Sequence, residues 1–170
     1  MKNSKVLIYF VAAALVIGAL YLAGKSFSSD KTATATIPKN TAVGTTTLSS
    51  GENSFDFGKI SMSKGKVTHQ FELKNVGSAP VIVRRIYTSC MCTSATLIRG
   101  NNRVGPFSMP GHGFNPGIEE AIAPGEKVAL EVVFDPAAHG PAGVGPIERQ
   151  VRVETDSGFV ELGIKTLVTP

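Results

Sequence analysis

Two cysteines, Cys90 and Cys92, are the residues whose type and spacing point most directly to chemistry, and the chain has no others. In an extended strand, side chains two positions apart point to the same side, so both sulfur atoms can face one ligand. Three interpretations follow: a small disulfide-bonded turn, a soft-metal site, or two small side chains packed at a strand end. An exported protein meets an oxidising environment, which argues against permanently free thiols.

The soft-metal interpretation requires more ligands, because two thiolates bind Cu(I) or Zn(II) together with one or two further groups. Residues 108–113 place the thioether of Met109 and the imidazole of His112 three residues apart, in a loop that can fold over the cysteines. The alternative is that Met109 covers apolar surface and His112 is solvated. The side chains considered as further ligands are those of Met91, Met109, His112 and His139. Of these, His139 is expected to be exposed in a glycine- and proline-rich connection.

Catalytic motifs give little support for an enzyme. Ser, His and Asp are all present, but no nucleophile elbow of the G-x-S-x-G kind occurs. Glu119 and Glu120 lie just before a turn, where acidic side chains are typically solvated. A thiol–disulfide enzyme is the least supported class, because the chain has no C-x-x-C motif. We therefore expect no enzyme activity.

The distribution of charge argues against a nucleic-acid-binding protein. The formal net charge is +4, and removing Lys2 and Lys5 at the N terminus leaves about +2 for the rest. Basic and acidic residues are interspersed, whereas a nucleic-acid-binding surface clusters its lysines and arginines. The modest excess is typical of a solvated surface.

The N-terminal segment predicts a membrane anchor. Residues 6–23 carry no charge over 18 positions, which is at the lower limit for a helix that spans a bilayer. The alternative is a cleaved signal peptide, but Tyr21 fits a small-residue cleavage site poorly. Because Lys2 and Lys5 precede the apolar run, the positive-inside rule puts the N terminus in the cytoplasm and the rest outside. We expect an anchor at residues 1–24, with secretion after cleavage as the alternative.

A flexible linker and one folded domain are expected after the anchor. Residues 25–51 are rich in Ser, Thr, Ala and Gly and lack apolar periodicity, which predicts a disordered tether. Residues 52–170 alternate short apolar patterns with turns and predict an all-β domain. The clearest strand is 127–134, and in the strand 81–88 alternation places Val81, Val83, Arg85 and Tyr87 on one face. Residues 99–117 are expected to form a long irregular loop.

About seven short strands within this length predict an immunoglobulin-like β-sandwich. Five blocks of the sequence also resemble a known family. They are F-D-F-G-K-I from Phe55, F-E-L-K-N-V-G from Phe71, T-S-C-M-C-T from Thr88, I-A-P-G-E from Ile122 and V-F-D-P from Val133. In this order they resemble domain of unknown function 1573, with Met91 where the family usually has glycine and with a longer loop at 99–117. The resemblance implies an immunoglobulin-like sandwich, akin to major sperm protein and ASH domains, that is exported in bacteria and has no established enzyme activity.

Two functions from different classes remain open. The first is a non-catalytic module, anchored to the cytoplasmic membrane, that binds another envelope protein through a sheet edge or loops. The second is a thiol or soft-metal protein that holds Cu(I) or Zn(II) with Cys90, Cys92, Met109 and His112.

Overall fold

The computed structural model describes residues 46–113 and 115–170. The predicted anchor at 1–24 and most of the predicted linker lie outside the described residues. Within the described ranges, no helix has the length and apolar character needed to cross a membrane. The described part of the chain is all-β, with two 3₁₀ helices of three and four residues, Met62–Lys64 and Gly140–Gly143.

In the described part of the chain, ten strands form two sheets of five. In chain order they are β1 (Leu48–Ser50), β2 (Ser54–Ser61), β3 (Val67–Asn75), β4 (Val81–Thr88), β5 (Thr93–Arg99), β6 (Asn102–Phe107), β7 (Glu120–Ile122), β8 (Lys127–Phe134), β9 (Gly145–Thr155) and β10 (Gly158–Thr169). One sheet has the order β1-β3-β8-β5-β6, and the other has the order β2-β10-β9-β4-β7. All pairs are antiparallel except β2 with β10, which is parallel.

The core lies between the inner faces of the two sheets. In β8 the residues alternate strictly between buried and less buried positions, as the sequence pattern predicts. The largest fully buried side chains come from both sheets, including Phe71 and Leu130 from one and Ile86 and Leu162 from the other. This packing of two alternating faces forms the hydrophobic core of the described domain.

A β-bulge in β4 changes which residues face the core. The register between β4 and β9 shifts between Val83 and Arg85, so Arg84 and Arg85 both lie on the exposed side. The predicted face, with Arg85 and Tyr87 beside the valines, is therefore wrong after Val83. The buried residues of β4 are Val81, Val83, Ile86 and Thr88.

The sandwich has three more strands than the seven predicted, namely β1, β6 and β7, and two of them lie in segments expected to be irregular. β1 falls inside the predicted 25–51 linker, where Leu48 is only 1% exposed and pairs with Asn75. β6 falls inside the expected 99–117 loop. There, Gly100 adopts φ +55° at the first central position of a two-residue hairpin, which returns the chain along β5.

Candidate functional site

The two cysteines lie in a tight turn, residues 90–93, that joins β4 of one sheet to β5 of the other. The Thr93 amide donates to the Cys90 carbonyl at 3.1 Å and closes the turn. The hydroxyl of buried Thr88 lies 2.9 Å from the Cys90 carbonyl and 3.0 Å from that of Thr93. We call residues 90–93 the cysteine turn.

Hydrogen bonds to both sheets hold the cysteine turn in place. The Ser89 amide donates to the Gln150 carbonyl of β9 at 2.9 Å, and the Gln150 amide donates back to the Ser89 hydroxyl at 2.9 Å. On the other sheet, the Asp135 amide at the end of β8 donates to the Cys92 carbonyl at 2.8 Å. Backbone hydrogen bonds to both sheets thus hold the cysteine turn in position, independently of its side chains.

The sulfur atoms of Cys90 and Cys92 meet and form a disulfide, with the two Cα atoms 5.3 Å apart. They converge because the chain turns here, and not because the residues lie on an extended strand as the sequence pattern suggested. Cys92 is 3% exposed, whereas Cys90 is half-buried. The Cys92 amide also donates to Cys90 Sγ at 3.3 Å. Cys90 is therefore the more accessible sulfur of the pair.

His139 brings an imidazole to the same place from the connection between β8 and β9. Its Nε2 lies 3.2 Å from Cys90 Sγ. Two successive turns shape this connection: the Ala137 amide donates to Asp135 Oδ1 at 2.9 Å, and the Gly140 amide donates to the Ala137 carbonyl at 2.9 Å. As predicted from its sequence context, the His139 side chain is exposed.

Arg149 on β9 places a positive charge beside the buried sulfur. Its Nε–H donates to Cys92 Sγ at 3.3 Å, and its Nη1 donates to the Glu148 carbonyl at 2.8 Å. The second bond fixes the guanidinium in this orientation. A cation that donates to sulfur stabilises negative charge on that sulfur, so Arg149 would favour the thiolate form of Cys92 when the disulfide is reduced.

The ligand atoms of Cys90, Cys92 and His139 lie within 4.8 Å of one another. Among the described histidine, cysteine and acidic side chains, these three form the cluster that could hold a metal ion. His112 is not part of it. The His112 amide donates to the Met109 carbonyl at 3.0 Å, and the His112 carbonyl accepts from the Ser108 hydroxyl, so this loop closes on itself. Roles for Met109 and His112 as ligands stay predictions.

The register of β5 and β8 explains why His139 lies near the cysteines. Thr93 pairs with Phe134, so the residues that follow Phe134 emerge beside the cysteine turn. The signal was present in the sequence, because the V-F-D-P block ends a strand five residues before His139. The closeness of His139 to the cysteines follows from the pairing of β5 with β8, which the sequence alone does not show.

A row of polar side chains covers the outer face of β4 and β9 next to the site. The Tyr87 hydroxyl donates to Glu154 Oε1 at 2.9 Å, and Arg152 Nη2 donates to Glu161 Oε2 at 2.8 Å. Partial burial raises the pKa of Tyr87 above its usual 10.0, and the hydrogen bond to Glu154 adds to this. The hydrogen bond to Glu161 raises the pKa of Arg152 above its usual range. Both residues keep their usual protonation state at neutral pH.

Comparison with known protein structures supports the fold. A protein of unknown function from Porphyromonas gingivalis W83 aligns with a TM-score of 0.54 at 17% identity, over 78% of this chain and 51% of that one. The chain therefore spans about half the length of that relative. The PapD-like domain 7 of human CEP192, an ASH domain, aligns with a TM-score of 0.46 at 11% identity, over 82% of this chain and 97% of that one. The secreted serine protease VesC from Vibrio cholerae aligns with a TM-score of 0.45 at 14% identity, over 72% of this chain and 24% of that one.

The alignment with the Porphyromonas gingivalis protein shows a shared fold, and none of these similarities assigns an activity. No curated protein sequence matches the chain. Residues 48–105 match the family described as "Protein of unknown function (DUF1573)". That segment runs from β1 into β6 and includes the cysteine turn. The resemblance to the DUF1573 family is thus confirmed over residues 48–105, which contain three of the five sequence blocks; the blocks that begin at Ile122 and Val133 lie outside the matched segment.

Proposed function

We propose that the protein is a non-catalytic module, held outside the cytoplasmic membrane by its N-terminal segment, that binds another envelope protein by strand addition at β2. The observation that carries the proposal is the position of β2. This strand of eight residues is at the end of its sheet and pairs on one side, with β10. A strand with one free edge offers backbone donors and acceptors to a partner strand.

The direction of the backbone groups of β2 supports this use. The Gly163 amide of β10 donates to the Asn53 carbonyl at 2.8 Å, which fixes the register of the parallel pair. Because backbone groups alternate in direction along a strand, those of Ser54 and Asp56 point away from β10. An incoming strand would meet these groups first.

The other sheet ends are poorer acceptors of a partner strand. The end strands β1 and β7 have three residues each, too few for a stable new ladder. The remaining end strand, β6, contains Pro106, which has no amide hydrogen to donate. Among the described strands, β2 therefore offers the longest proline-free edge.

The predicted location fits an envelope partner. Lys2 and Lys5 before the apolar run at 6–23 favour a cytoplasmic N terminus and an external domain. The Ser- and Thr-rich stretch after the run would give the domain reach from the membrane surface. Secretion after signal cleavage is the alternative, and it would leave the β2 edge unchanged.

Site-specific photo-crosslinking in intact cells tests the proposal. A photoreactive amino acid at Asp56, on the β2 edge, is expected to give a discrete crosslinked product. The same amino acid at Glu72, on the exposed face of the inner strand β3, is expected to give none. Ser54→Pro removes an outward-pointing amide without touching the β2–β10 ladder, and it should lower the crosslink yield at least tenfold.

Ser54→Ala is the matched control, because it removes the hydroxyl and keeps the amide. Its crosslink yield should equal that of the unchanged protein, and both variants should unfold at the same temperature as that protein. Equal yields from Asp56 and Glu72, or an unchanged yield in Ser54→Pro, would rule out strand addition at β2.

A further inference from the structure

We propose that the reduced protein binds one Cu(I) ion at a three-coordinate site made of Cys90 Sγ, Cys92 Sγ and His139 Nε2. The proposal goes beyond partner binding and does not depend on it, because β2 contributes no ligand. The carrying observation is that a third soft ligand reaches the cysteine pair from a distant part of the chain. Residue 139 lies 49 positions after Cys90, yet the two ligand atoms are 3.2 Å apart.

The three ligand atoms lie within 4.8 Å of one another, which is close enough for all of them to bind one metal ion. The backbone of the cysteine turn is fixed by bonds to β8 and β9, so binding requires side-chain rotation alone. Reduction separates the two sulfur atoms, and an ion can then lie between them and the imidazole. His139 is exposed and can move toward the ion without disturbing the core.

The number and type of ligands favour Cu(I) over Zn(II). Thiolates are soft ligands that select Cu(I) and Zn(II) over hard cations, and imidazole suits both metals. Structural Zn(II) takes four protein ligands in a tetrahedron. Within the described ranges the cluster supplies three from its histidine, cysteine and acidic side chains. Three protein ligands suffice for Cu(I), whereas Zn(II) held by three protein ligands takes water as its fourth ligand.

Charge balance also favours the monovalent ion. Two thiolates, one Cu(I) and a neutral imidazole carry a net charge of −1. Arg149 supplies the compensating +1, since its Nε–H donates to Cys92 Sγ at 3.3 Å. With Zn(II) the same ligands would be neutral, and the arginine would be an uncompensated positive charge beside the metal.

Loading of the site depends on the redox state of the cysteines. Reduction of the disulfide consumes two electrons and two protons, which an external dithiol supplies as it becomes a disulfide itself. The two thiols of Cys90 and Cys92 then bind Cu(I) and release two protons. An external disulfide that accepts two electrons and two protons, and so becomes a dithiol, oxidises the pair again and expels Cu(I), because disulfide sulfurs are not thiolate ligands. The Met91 side chain, 52% exposed, marks the turn as a surface feature that a copper donor can reach.

The test is a Cu(I) titration of the full chain in detergent, reduced with a phosphine and kept anaerobic, in competition with a coloured Cu(I) chelator. We expect one Cu(I) per chain and an X-ray absorption spectrum of two sulfur neighbours and one nitrogen neighbour. His139→Ala should weaken binding at least tenfold and remove the nitrogen neighbour. His112→Ala is the matched control, because it removes another exposed histidine, and it should leave both readouts unchanged.

Three results would overturn the proposal: an unchanged affinity in His139→Ala, a sulfur-only metal shell in the unchanged protein, or displacement of Cu(I) by an equal concentration of Zn(II). A weaker affinity in His112→Ala instead would transfer the histidine ligand to the 108–113 loop. Crosslinking from Asp56 is measured separately, so failure of copper binding and failure of strand addition are distinguishable.

Discussion

Two polar clusters lie at opposite ends of the sandwich, and they use their hydrogen-bonding groups in different ways. At the end where β3 stops, the Asn75 side chain is completely buried and holds three backbone groups. Its Nδ2 donates to the carbonyls of Ala79 at 2.8 Å and Ile122 at 2.9 Å, and its Oδ1 accepts from the Gly77 amide at 2.9 Å. We call this the Asn75 cluster.

At the other end, the sulfur atoms of the cysteine turn mainly contact side chains, and their one backbone hydrogen bond comes from the Cys92 amide to Cys90 Sγ. Hydrogen bonds of the backbone and of the Thr88 hydroxyl fix the loop, while the sulfur atoms face His139 and Arg149. Because Lys127 begins β8 beside Lys74 and Phe134 ends it beside Thr93, the two clusters are separated by the length of that strand. The contrast shows which polar residues build the fold and which are available for chemistry.

The first prediction breaks the Asn75 cluster. Asn75→Ala removes the partner of three backbone groups, in one buried hydrogen bond to Ile122 and two partly buried ones to Ala79 and Gly77, and each unsatisfied buried group costs on the order of 1–3 kcal/mol. We expect the free energy of unfolding to fall by about 3 kcal/mol or more, measured by urea denaturation. Asn102→Ala, at an exposed asparagine of β6, is the control and should change stability by less than about 0.5 kcal/mol.

The Asn75 variant also tests the separation of the two ends. As long as Asn75→Ala remains folded, its Cu(I) affinity after reduction should match that of the unchanged protein. A parallel loss of copper affinity in the folded variant would show that the two clusters are coupled through β8.

The second prediction concerns the stability contributed by the cysteine turn. A disulfide that closes a loop of three residues contributes about 1.5 kcal/mol by the chain-entropy relation, much less than one closing a long loop. Reduction should therefore lower the free energy of unfolding by about this amount, measured in urea with and without a phosphine. The double variant Cys90→Ser, Cys92→Ser is the control, and its stability should not respond to the reductant.

If reduction lowers the free energy of unfolding by more than Asn75→Ala does, the contrast between the two ends is contradicted. It would mean that the disulfide is the main support of this end of the sandwich, and that the backbone bonds to Gln150 and Asp135 contribute little.

The sequence predicted the regular strands well, because their signals are local. β8 has the predicted bounds, since alternation of apolar and polar residues is set by the pleat of a single strand. The bulge at Arg84 was missed, because it depends on how β4 fits β9 and not on β4 alone. β6 was missed because its glycines and proline outweighed the Gly100-Asn101 hairpin signal.

The candidate site was predicted in part for the same reason. Cys90 and Cys92 are two residues apart, so their meeting could be expected from the sequence. The approach of His139 depends on the pairing of β5 with β8, and that of Arg149 depends on where β9 runs. The sequence favoured Met109 and His112, because a thioether and an imidazole three residues apart in a loop can fold over the cysteines, and their role as ligands stays a prediction.

The third prediction, with the smallest effect, concerns Tyr87, which lies on the outer face of β4 between the two ends. Its raised pKa means that the folded protein holds the phenol proton more tightly than the unfolded chain. The stabilisation is fully present below pH 10 and is lost as pH rises through the folded pKa. Tyr87→Phe should lower stability by about 1 kcal/mol at neutral pH, as expected for one hydrogen bond. The difference between the two proteins, measured by urea denaturation across this pH range, should shrink above pH 10. A difference that instead grows with pH would show that the folded state favours the tyrosinate, contrary to the burial of Tyr87 and its bond to Glu154.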